Sequence, residues 1–243
     1  MECGTSKPAT PGRVVVIIPT YNERENIVSL IEEILSLPAG INVLVVDDDS
    51  PDGTGRLAAE HFKENCAVDV CIRHEQRGRG RAGIFGYRRA LGRGFDIIGE
   101  MDGDGSHGPR FIPAALAALA KADVAVGSRY LPGGGEQRPG NRRFVTLWAR
   151  RYLAVMLGIR LTDPTSGFRF FRRGPLAAIV PRLVATDPFI VTEVNYHLCR
   201  CGFSVVEIPI FFADRKAGVS KLKFTTLLQY LFRVLFLRIR HDG

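Results

Sequence analysis

Five short runs of mainly β-branched residues, continuous rather than alternating with polar residues, constrain the fold of this chain most strongly. They span residues 14–18, 43–46, 68–72, 97–98 and 124–126. Such runs are typical of strands that are buried on both faces of a parallel sheet. Segments with helical character separate the runs, over residues 27–37, 57–65, 82–91 and 111–120. This alternation predicts a doubly wound α/β fold in which helices flank a mostly parallel sheet.

Composition places the chain among ordinary globular proteins. Of the 243 residues, 46% are hydrophobic and 24% are charged, which is enough for one substantial core. The five cysteines are odd in number and form no Cys-x-x-Cys pair, so neither a disulfide framework nor a zinc ribbon is indicated. We therefore expect a reducing, cytoplasmic environment. Residues 1–12 are small and polar without an apolar core, so we expect a flexible tail and no secretory signal.

The net charge of +8 and the pI near 9.5 favour anionic partners. Nucleic acid, phospholipid headgroups and phosphorylated substrates all fit, and charge alone does not choose among them. The sequence shows neither a basic stripe interleaved with aromatic residues nor a known nucleic-acid motif. We therefore predict no nucleic-acid partner.

Two carboxylates separated by one glycine follow the fourth apolar run. Asp102 and Asp104 project from alternate positions, and Gly103 leaves room for a ligand to approach the backbone. Carboxylate oxygens are ligands that Mg²⁺ prefers, commonly together with substrate phosphates. This pattern indicates a site for a divalent cation and a diphosphate. The alternative interpretation is a polar turn after a buried strand.

Two later segments have a distinct character. Residues 133–135 are three glycines, and the basic stretch 138–151 after them is expected to be a mobile loop followed by a helix whose cationic residues face phosphates or solvent. Residues 224–240 are strongly apolar but are interrupted by Gln229 and Arg233, and a bilayer-spanning helix needs about 20 apolar residues. We expect an amphipathic helix that either lies on an anionic membrane surface or packs on the core or a subunit interface.

Six motifs occur in an order and spacing that resemble one enzyme family. They are Pro-Thr-Tyr-Asn-Glu at 19–23, Val-Asp-Asp-Asp-Ser-Pro-Asp-Gly-Thr at 46–54, Met-Asp-Gly-Asp-Gly-Ser-His at 101–107, Gly-Ser-Arg-Tyr at 127–130, Asp-Pro-Thr-Ser-Gly-Phe-Arg at 163–169 and Asp-Arg-Lys-Ala-Gly-Val-Ser-Lys at 214–221. Over roughly residues 13–223 the chain resembles inverting glycosyltransferases of the polyprenyl- or dolichyl-phosphate mannose synthase type. The resemblance implies the nucleotide-sugar-binding GT-A fold, with residues 13–223 as the catalytic domain and 224–243 as the amphipathic helix.

The same resemblance implies an activity. The chain is expected to transfer mannose from GDP-mannose to a polyprenyl monophosphate with inversion, as a peripheral protein on the cytosolic face of a membrane. A separate membrane subunit is a further partner that the resemblance admits. The alternative is a transferase that uses a UDP-sugar, glucose or GlcNAc, with polyprenyl phosphate or another acceptor.

The resemblance also implies roles for individual residues. Pro19, Tyr21, Glu23, Val46 and Asp48 are expected to bind the donor, and Asp102 and Asp104 to hold Mg²⁺ or Mn²⁺, with Gly103 contacting the donor through its backbone. Ser106 is the candidate for a third metal ligand, unless water replaces it. The expected contacts of the donor diphosphate are Arg129, Arg215 and Lys221. Those of the acceptor phosphate are Arg129, Arg142 and Thr146. The expected catalytic residues are Asp102, Asp104, Arg215 and Lys221.

One segment departs from the family pattern. Relatives often show Gly-Tyr-x-Phe-Gln where this chain has Thr-Asp-Pro-Phe-Ile-Val-Thr-Glu at 186–193. The departure leaves the selectivity for acceptor or sugar open.

Overall fold

Strands and helices alternate through most of the chain. The computed structural model describes residues 12–137, 141–212 and 224–242, with side chains in them apart from those of 141–147, 224–228 and 240–242. The strands are β1 Val14–Thr20, β2 Asn42–Asp47, β3 Val68–Ile72, β4 Ile97–Glu100, β5 Val124–Ser128, β6 Gly135–Glu136, β7 Arg169–Arg172, β8 Val205–Pro209 and β9 Phe211–Phe212. The helices are α1 Ile27–Leu35, α2 Thr54–His61, α3 Arg79–Gly92, α4 Ile112–Ala118, α5 Asn141–Leu157, α6 Arg173–Ile179, α7 Ile190–Arg200 and α8 Phe224–Asp242.

The main sheet has seven strands in the order β3-β2-β1-β4-β7-β5-β8. All five strands predicted from the apolar runs are present and run in the same direction. β7 lies antiparallel between β4 and β5, and β8 is parallel to β5. β7 was not predicted, because Arg169 and Arg172 bound an apolar core of only two residues. A small second sheet pairs β6 with β9.

The central strands contribute side chains to two hydrophobic cores, one on each face of the sheet. In β1, Val14, Val16 and Ile18 pack with α1, α2 and α4, whereas Val15 and Ile17 pack on the opposite face with α3 and α5 to α8. Since successive side chains of a strand point to opposite faces, a continuous apolar run supplies both cores at once. The layered α/β architecture follows from this pattern.

The register of the sheet gathers three loops at one edge. Thr20 of β1 is opposite Asp47 of β2, and Ile17 of β1 is opposite Glu100 of β4. The segments that follow these strands therefore leave the sheet side by side at its carboxyl edge, where ligands of open α/β sheets bind.

The C-terminal helix packs on the molecule and also exposes apolar residues. Val234 and Leu237 of α8 are buried in the core, and Phe232, Phe236 and Ile239 are exposed. Among the helices in the described part of the chain, none has the length and apolar character needed to cross a membrane.

Candidate active site

A cleft of about 720 Å³ opens at the carboxyl edge of the sheet. One side, which we call the sheet wall, is formed by Pro19, Tyr21, Glu23, Asp48, Asp102, Gly103 and Asp104. The opposite side, which we call the helix wall, is formed by Asp187, Pro188, Phe189, Val191, Thr192, Gln229, Tyr230 and Arg233. Arg79 and Ala82 of α3, Thr20, and Thr165 and Gly167 of the loop before β7 complete the lining.

The first two loops of the sheet wall present an aromatic ring and two anchored carboxylates. The Tyr21 ring is 52% exposed and offers a face on which a base can stack. Glu23 accepts a hydrogen bond from the Asn26 side-chain amide. Asp48 accepts hydrogen bonds from the Arg73 guanidinium and from the backbone N–H of Gly78, both at 2.6 Å. Burial raises the pKa of Asp48 above its ordinary value, against the opposing effect of these two donors.

The third loop carries the paired carboxylates. Asp104 is buried and accepts hydrogen bonds from both the backbone N–H and the hydroxyl of Ser106. Gly103 is needed here for packing, since a Cβ at this position would lie 2.9 Å from Cγ2 of Thr20. Gly167 is equally constrained, because its Cβ would lie 3.0 Å from Oδ2 of Asp102. The small size of these two glycines therefore allows close packing around Asp102.

The donor set fits a cation that shares its coordination with a substrate. No group of three His, Cys, Asp or Glu side chains with metal-binding geometry occurs in the described residues. Asp102 and Asp104 nevertheless line the same cleft, and the Asp102 carboxylate is 30% exposed. Mg²⁺ sites of this kind use one or two carboxylates and take their remaining ligands from water and phosphate oxygens.

A buried ionic network supports Asp102 from below. Glu100 is fully buried and accepts hydrogen bonds from Arg169 at 2.6 Å, from Arg79 at 2.7 Å and from the Tyr87 hydroxyl. Arg79 also donates to Oδ1 of Asp102 at 3.2 Å. Burial alone would raise the pKa of Glu100, but Arg79, Arg169 and Tyr87 together hold it below its ordinary value. Arg79 thus connects the buried network to the floor of the cleft.

The ring of His107 is buried beside this loop. It is buried between Phe168 and Phe212, and its Nδ1 accepts a hydrogen bond from the backbone N–H of Asp102. Burial lowers its pKa despite the nearby carboxylates of Asp102 and Asp104. The ring therefore helps to fix the backbone at Asp102.

Several residues with predicted roles lie away from the cleft surface. Val46 is fully buried and packs against α3 behind the sheet wall, because its position in β2 points it into the core. Ser106 is also fully buried, and its hydroxyl is used by Asp104. Arg129 makes a bidentate pair with the buried Asp163, at 2.6 and 2.8 Å, and also contacts Glu136. Arg215 and Lys221 lie outside the described residues, as do the side chains of Arg142 and Thr146.

The sequence did not predict the helix wall or the role of Arg79. Arg233 of α8 forms an ion pair with Asp187 and lies over the ring of Phe189 at 4.3 Å. Thr192 and Tyr230 share a hydrogen bond of 2.7 Å between their hydroxyls. The interruption of the apolar C-terminal segment by Gln229 and Arg233 was the available signal, since both polar residues face the cleft.

The fold is that of the GT-A glycosyltransferases. Glucosyl-3-phosphoglycerate synthase from Mycobacterium tuberculosis, in a crystal structure with Mn²⁺, UDP and glucosyl-3-phosphoglycerate, superposes with a TM-score of 0.68 at 20% identity, covering 98% of this chain and 86% of that one. This likeness confirms the predicted fold class, including the mostly parallel sheet with flanking helices.

Residues 15–180 match glycosyl transferase family 2, and the chain belongs to that family. It is 39% identical over 226 residues to a polyprenol monophosphomannose synthase of Mycolicibacterium smegmatis, covering 91% of this chain and 85% of the relative. It is also 39% identical over 212 residues to an undecaprenyl-phosphate mannosyltransferase of Micrococcus luteus, covering 86% of this chain and 87% of the relative. The resemblance inferred from the six motifs is confirmed, and the chain is a glycosyltransferase.

Proposed function

We propose that this enzyme transfers mannose from GDP-mannose to a polyprenyl monophosphate with inversion. The observation that carries the proposal is the 39% identity, over about nine tenths of the chain, to polyprenol- and undecaprenyl-phosphate mannosyltransferases. The cleft supports it, because it combines an exposed aromatic ring, two carboxylates and a separate helical wall within about 720 Å³.

In this proposal the donor lies along the sheet wall. Tyr21 stacks on the base, while Pro19, Glu23 and Asp48 contribute the surrounding surface. Val46 supports this pocket from the core. Gly103 presents its backbone to the diphosphate from the loop between the two aspartates.

Asp102 and Asp104 are the residues that would hold Mg²⁺ or Mn²⁺. The cation, when bound, would neutralise negative charge on the donor diphosphate. Ser106 and Arg79 orient the two carboxylates, by hydrogen bonds to Asp104 and Asp102 respectively. Arg215 and Lys221 are proposed to add positive charge at the leaving group, from the part of the chain outside the described residues.

The acceptor phosphate approaches from the helix wall. A phosphate monoester has a second pKa of about 6, so its oxygen is already anionic at neutral pH and needs no strong general base. Arg233 supplies a cation at this wall, next to Asp187. Arg129, Arg142 and Thr146 remain proposed acceptor-phosphate contacts, with Arg129 requiring release from Asp163 and Glu136. In-line attack by the phosphate oxygen on the anomeric carbon would invert its configuration, and positioning is the main contribution of the protein.

A lipid acceptor places the enzyme at a membrane. We propose a peripheral location on the cytosolic face, with residues 13–223 as the catalytic domain and α8 as the contact with anionic lipid.

The test is incubation with radiolabelled GDP-mannose, a short polyprenyl phosphate and Mg²⁺ or Mn²⁺, followed by extraction into organic solvent. We expect label in the organic phase, abolished by chelation of the cation. Parallel reactions with labelled UDP-glucose and UDP-GlcNAc serve as controls. Transfer from a UDP-sugar alone would overturn the assignment of the donor, and unchanged transfer under complete chelation would overturn the metal site.

A further inference from the structure

A second cavity, of about 750 Å³, lies on the outer side of α5, away from the lining of the catalytic cleft. It is bounded by α5 and by the loop that follows it, with Trp148, Arg150, Arg151 and Arg160 among its lining residues. Ala154, Ile159 and Leu161 form its apolar base, and no acidic residue of the described chain lines it. The cavity therefore combines concentrated positive charge with an apolar floor.

The three arginines of this cavity are not used for holding the fold together. None of them makes a hydrogen bond or an ion pair with another residue in the part of the chain that the structure describes. By contrast, the guanidinium groups of Arg79, Arg129 and Arg169 are all paired with carboxylates. Three arginines without carboxylate partners around one hollow form a site for an anion, and guanidinium groups are well suited to phosphate.

The surface next to this cavity is apolar. Tyr152 of α5 donates to the carbonyl of Leu231, and further along Arg238 of α8 donates to the carbonyl of Met156. The contacts advance along both helices in the same direction, so α5 and α8 lie side by side and run in parallel. Their outward faces carry the apolar side chains of Trp148, Val155, Phe232, Phe236 and Ile239, which are 61% to 77% exposed.

We propose that the arginine cavity and the outward faces of α5 and α8 form a docking surface for a bilayer of anionic phospholipid. The arginines take lipid phosphates, while Trp148 and the apolar residues of α8 enter the boundary between headgroups and acyl chains. Charge complementarity and the joint exposure of aromatic and aliphatic residues beside the cavity select a lipid surface as the occupant.

The position of α8 connects this surface to catalysis. Gln229, Tyr230 and Arg233 line the cleft, whereas Phe232, Phe236 and Ile239 of the same helix face outward. The connection between membrane docking and catalysis rests on the proposed function, since a polyprenyl chain held in the bilayer would bring its phosphate to the helix wall. Binding of the docking surface to a membrane does not itself require turnover.

The single tryptophan of the chain reports directly on this surface. Emission of Trp148 is to be measured with vesicles of phosphatidylcholine, with vesicles that also contain phosphatidylglycerol, and with inorganic phosphate alone. We expect a blue shift with the phosphatidylglycerol vesicles only, and quenching when their acyl chains are brominated. An unchanged emission from protein that sediments with those vesicles would overturn the proposal, as would an equal response to inorganic phosphate.

A matched pair of variants tests the arginines. Arg150→Gln, Arg151→Gln and Arg160→Gln together should lower partitioning onto anionic vesicles roughly 100-fold, since each cation near such a surface contributes about fivefold. Arg56→Gln, Arg110→Gln and Lys121→Gln together remove the same charge from the opposite side of the sheet and should change partitioning little. Equal losses in the two triple variants would overturn the proposed surface.

Measuring mannosyl transfer together with vesicle binding distinguishes a failure of the docking surface from a failure of the proposed function. With a short polyprenyl phosphate dispersed in detergent, the triple variant of the cavity should retain mannosyl transfer while losing vesicle binding. Normal vesicle binding by a wild-type protein that transfers no mannose would refute the proposed function and leave the docking surface intact. Normal vesicle binding by the triple variant would refute the docking surface, whatever the activity.

Discussion

The two walls of the cleft are built in different ways. The sheet wall follows directly from strands β1, β2 and β4, and the fully buried Glu100 with its partners Arg79 and Arg169 lies beneath it. The helix wall is carried by α7 and α8, and its ion pair between Arg233 and Asp187 has side chains that are 38% and 48% exposed. Buried ionic groups are costly to disrupt, whereas exposed pairs contribute little. We therefore expect changes near the sheet wall to affect stability and turnover, and changes in the helix wall to affect acceptor binding.

The largest effect is expected at the base of the sheet wall. Glu100→Gln leaves the guanidinium groups of Arg169 and Arg79 without their buried counter-charge, and should lower the free energy of unfolding by about 3–5 kcal/mol. Urea denaturation measures this loss, with the exposed Glu60→Gln on α2 as the control. A loss below about 1 kcal/mol, no larger than that of a typical point mutation, would show that the network does not hold the sheet wall.

The same pair of proteins gives a pH dependence with a defined sign. The pKa of Glu100 lies below its ordinary value of 4.5 in the folded protein, so its ionised form contributes stability that is complete above pH 4.5. This contribution is lost as the pH falls through the lower folded value. The difference in unfolding free energy between wild type and Glu100→Gln should therefore narrow in acid, as measured by denaturation at successive pH values. A difference that widens below pH 4.5 would contradict the direction of the pKa shift.

A large effect on turnover is expected at the paired carboxylates. Asp102→Asn removes one of the two proposed metal ligands and should lower kcat/KM about 10²–10³-fold, the cost typical of losing one electrostatic stabiliser of the transition state. Asp123→Asn, at the other end of the sheet, is the matched control, because its carboxylate accepts hydrogen bonds from the backbone N–H and the hydroxyl of Ser204, away from the cleft. Wild-type turnover by Asp102→Asn in the radiolabel assay would remove the basis of the proposed site.

Arg79 should show an intermediate effect. A lysine at position 79 presents a single ammonium group and cannot reach Glu100 and Asp102 in the same forked geometry. Groups that orient a metal ligand typically change metal affinity or activity 10–100-fold, so Arg79→Lys should raise the Mn²⁺ concentration for half-maximal activity by about that factor. Arg89→Lys, whose partner Asp69 lies away from the cleft, should leave the Mn²⁺ response unchanged.

The smallest effect is expected in the helix wall. Arg233→Gln breaks the ion pair with Asp187 and removes a cation from the proposed acceptor side, which should raise the KM for polyprenyl phosphate about two- to fivefold, as expected for a partly exposed pair. The KM for GDP-mannose should stay unchanged. Arg200→Gln, on the exposed end of α7, serves as the control. An increase in the donor KM of Arg233→Gln instead would contradict the assignment of the donor to the sheet wall and of the acceptor to the helix wall.

Local sequence patterns predicted the sheet wall well. The five apolar runs are strands β1 to β5, and the carboxylates that follow them lie at one edge because parallel strands share their direction. Helix α3 was predicted over residues 82–91 and begins earlier, at Arg79, so the residue that joins Glu100 to Asp102 was not recognised as part of a helix. Strand β7 was not predicted, because Arg169 and Arg172 leave only two apolar residues between them.

The pairing of Arg169 with Glu100 shows why such a strand escapes prediction. The two residues are directly opposite in the antiparallel register of β7 and β4, 69 positions apart in the chain. A buried arginine contradicts the apolar pattern of a core strand unless its counter-charge is known. That counter-charge is supplied only after the chain has folded back between β4 and β5.

The sequence by itself determined the layered α/β architecture, the edge at which polar loops meet and the family of the enzyme, because these depend on hydrophobic periodicity and on motifs that are local in the chain. The tertiary structure decided which side chains face the cleft, that Arg129 is held by Asp163, and that α8 both lines the cleft and exposes an apolar face. These features depend on contacts between distant segments, whose geometry is set by packing of the whole core rather than by any single stretch of residues.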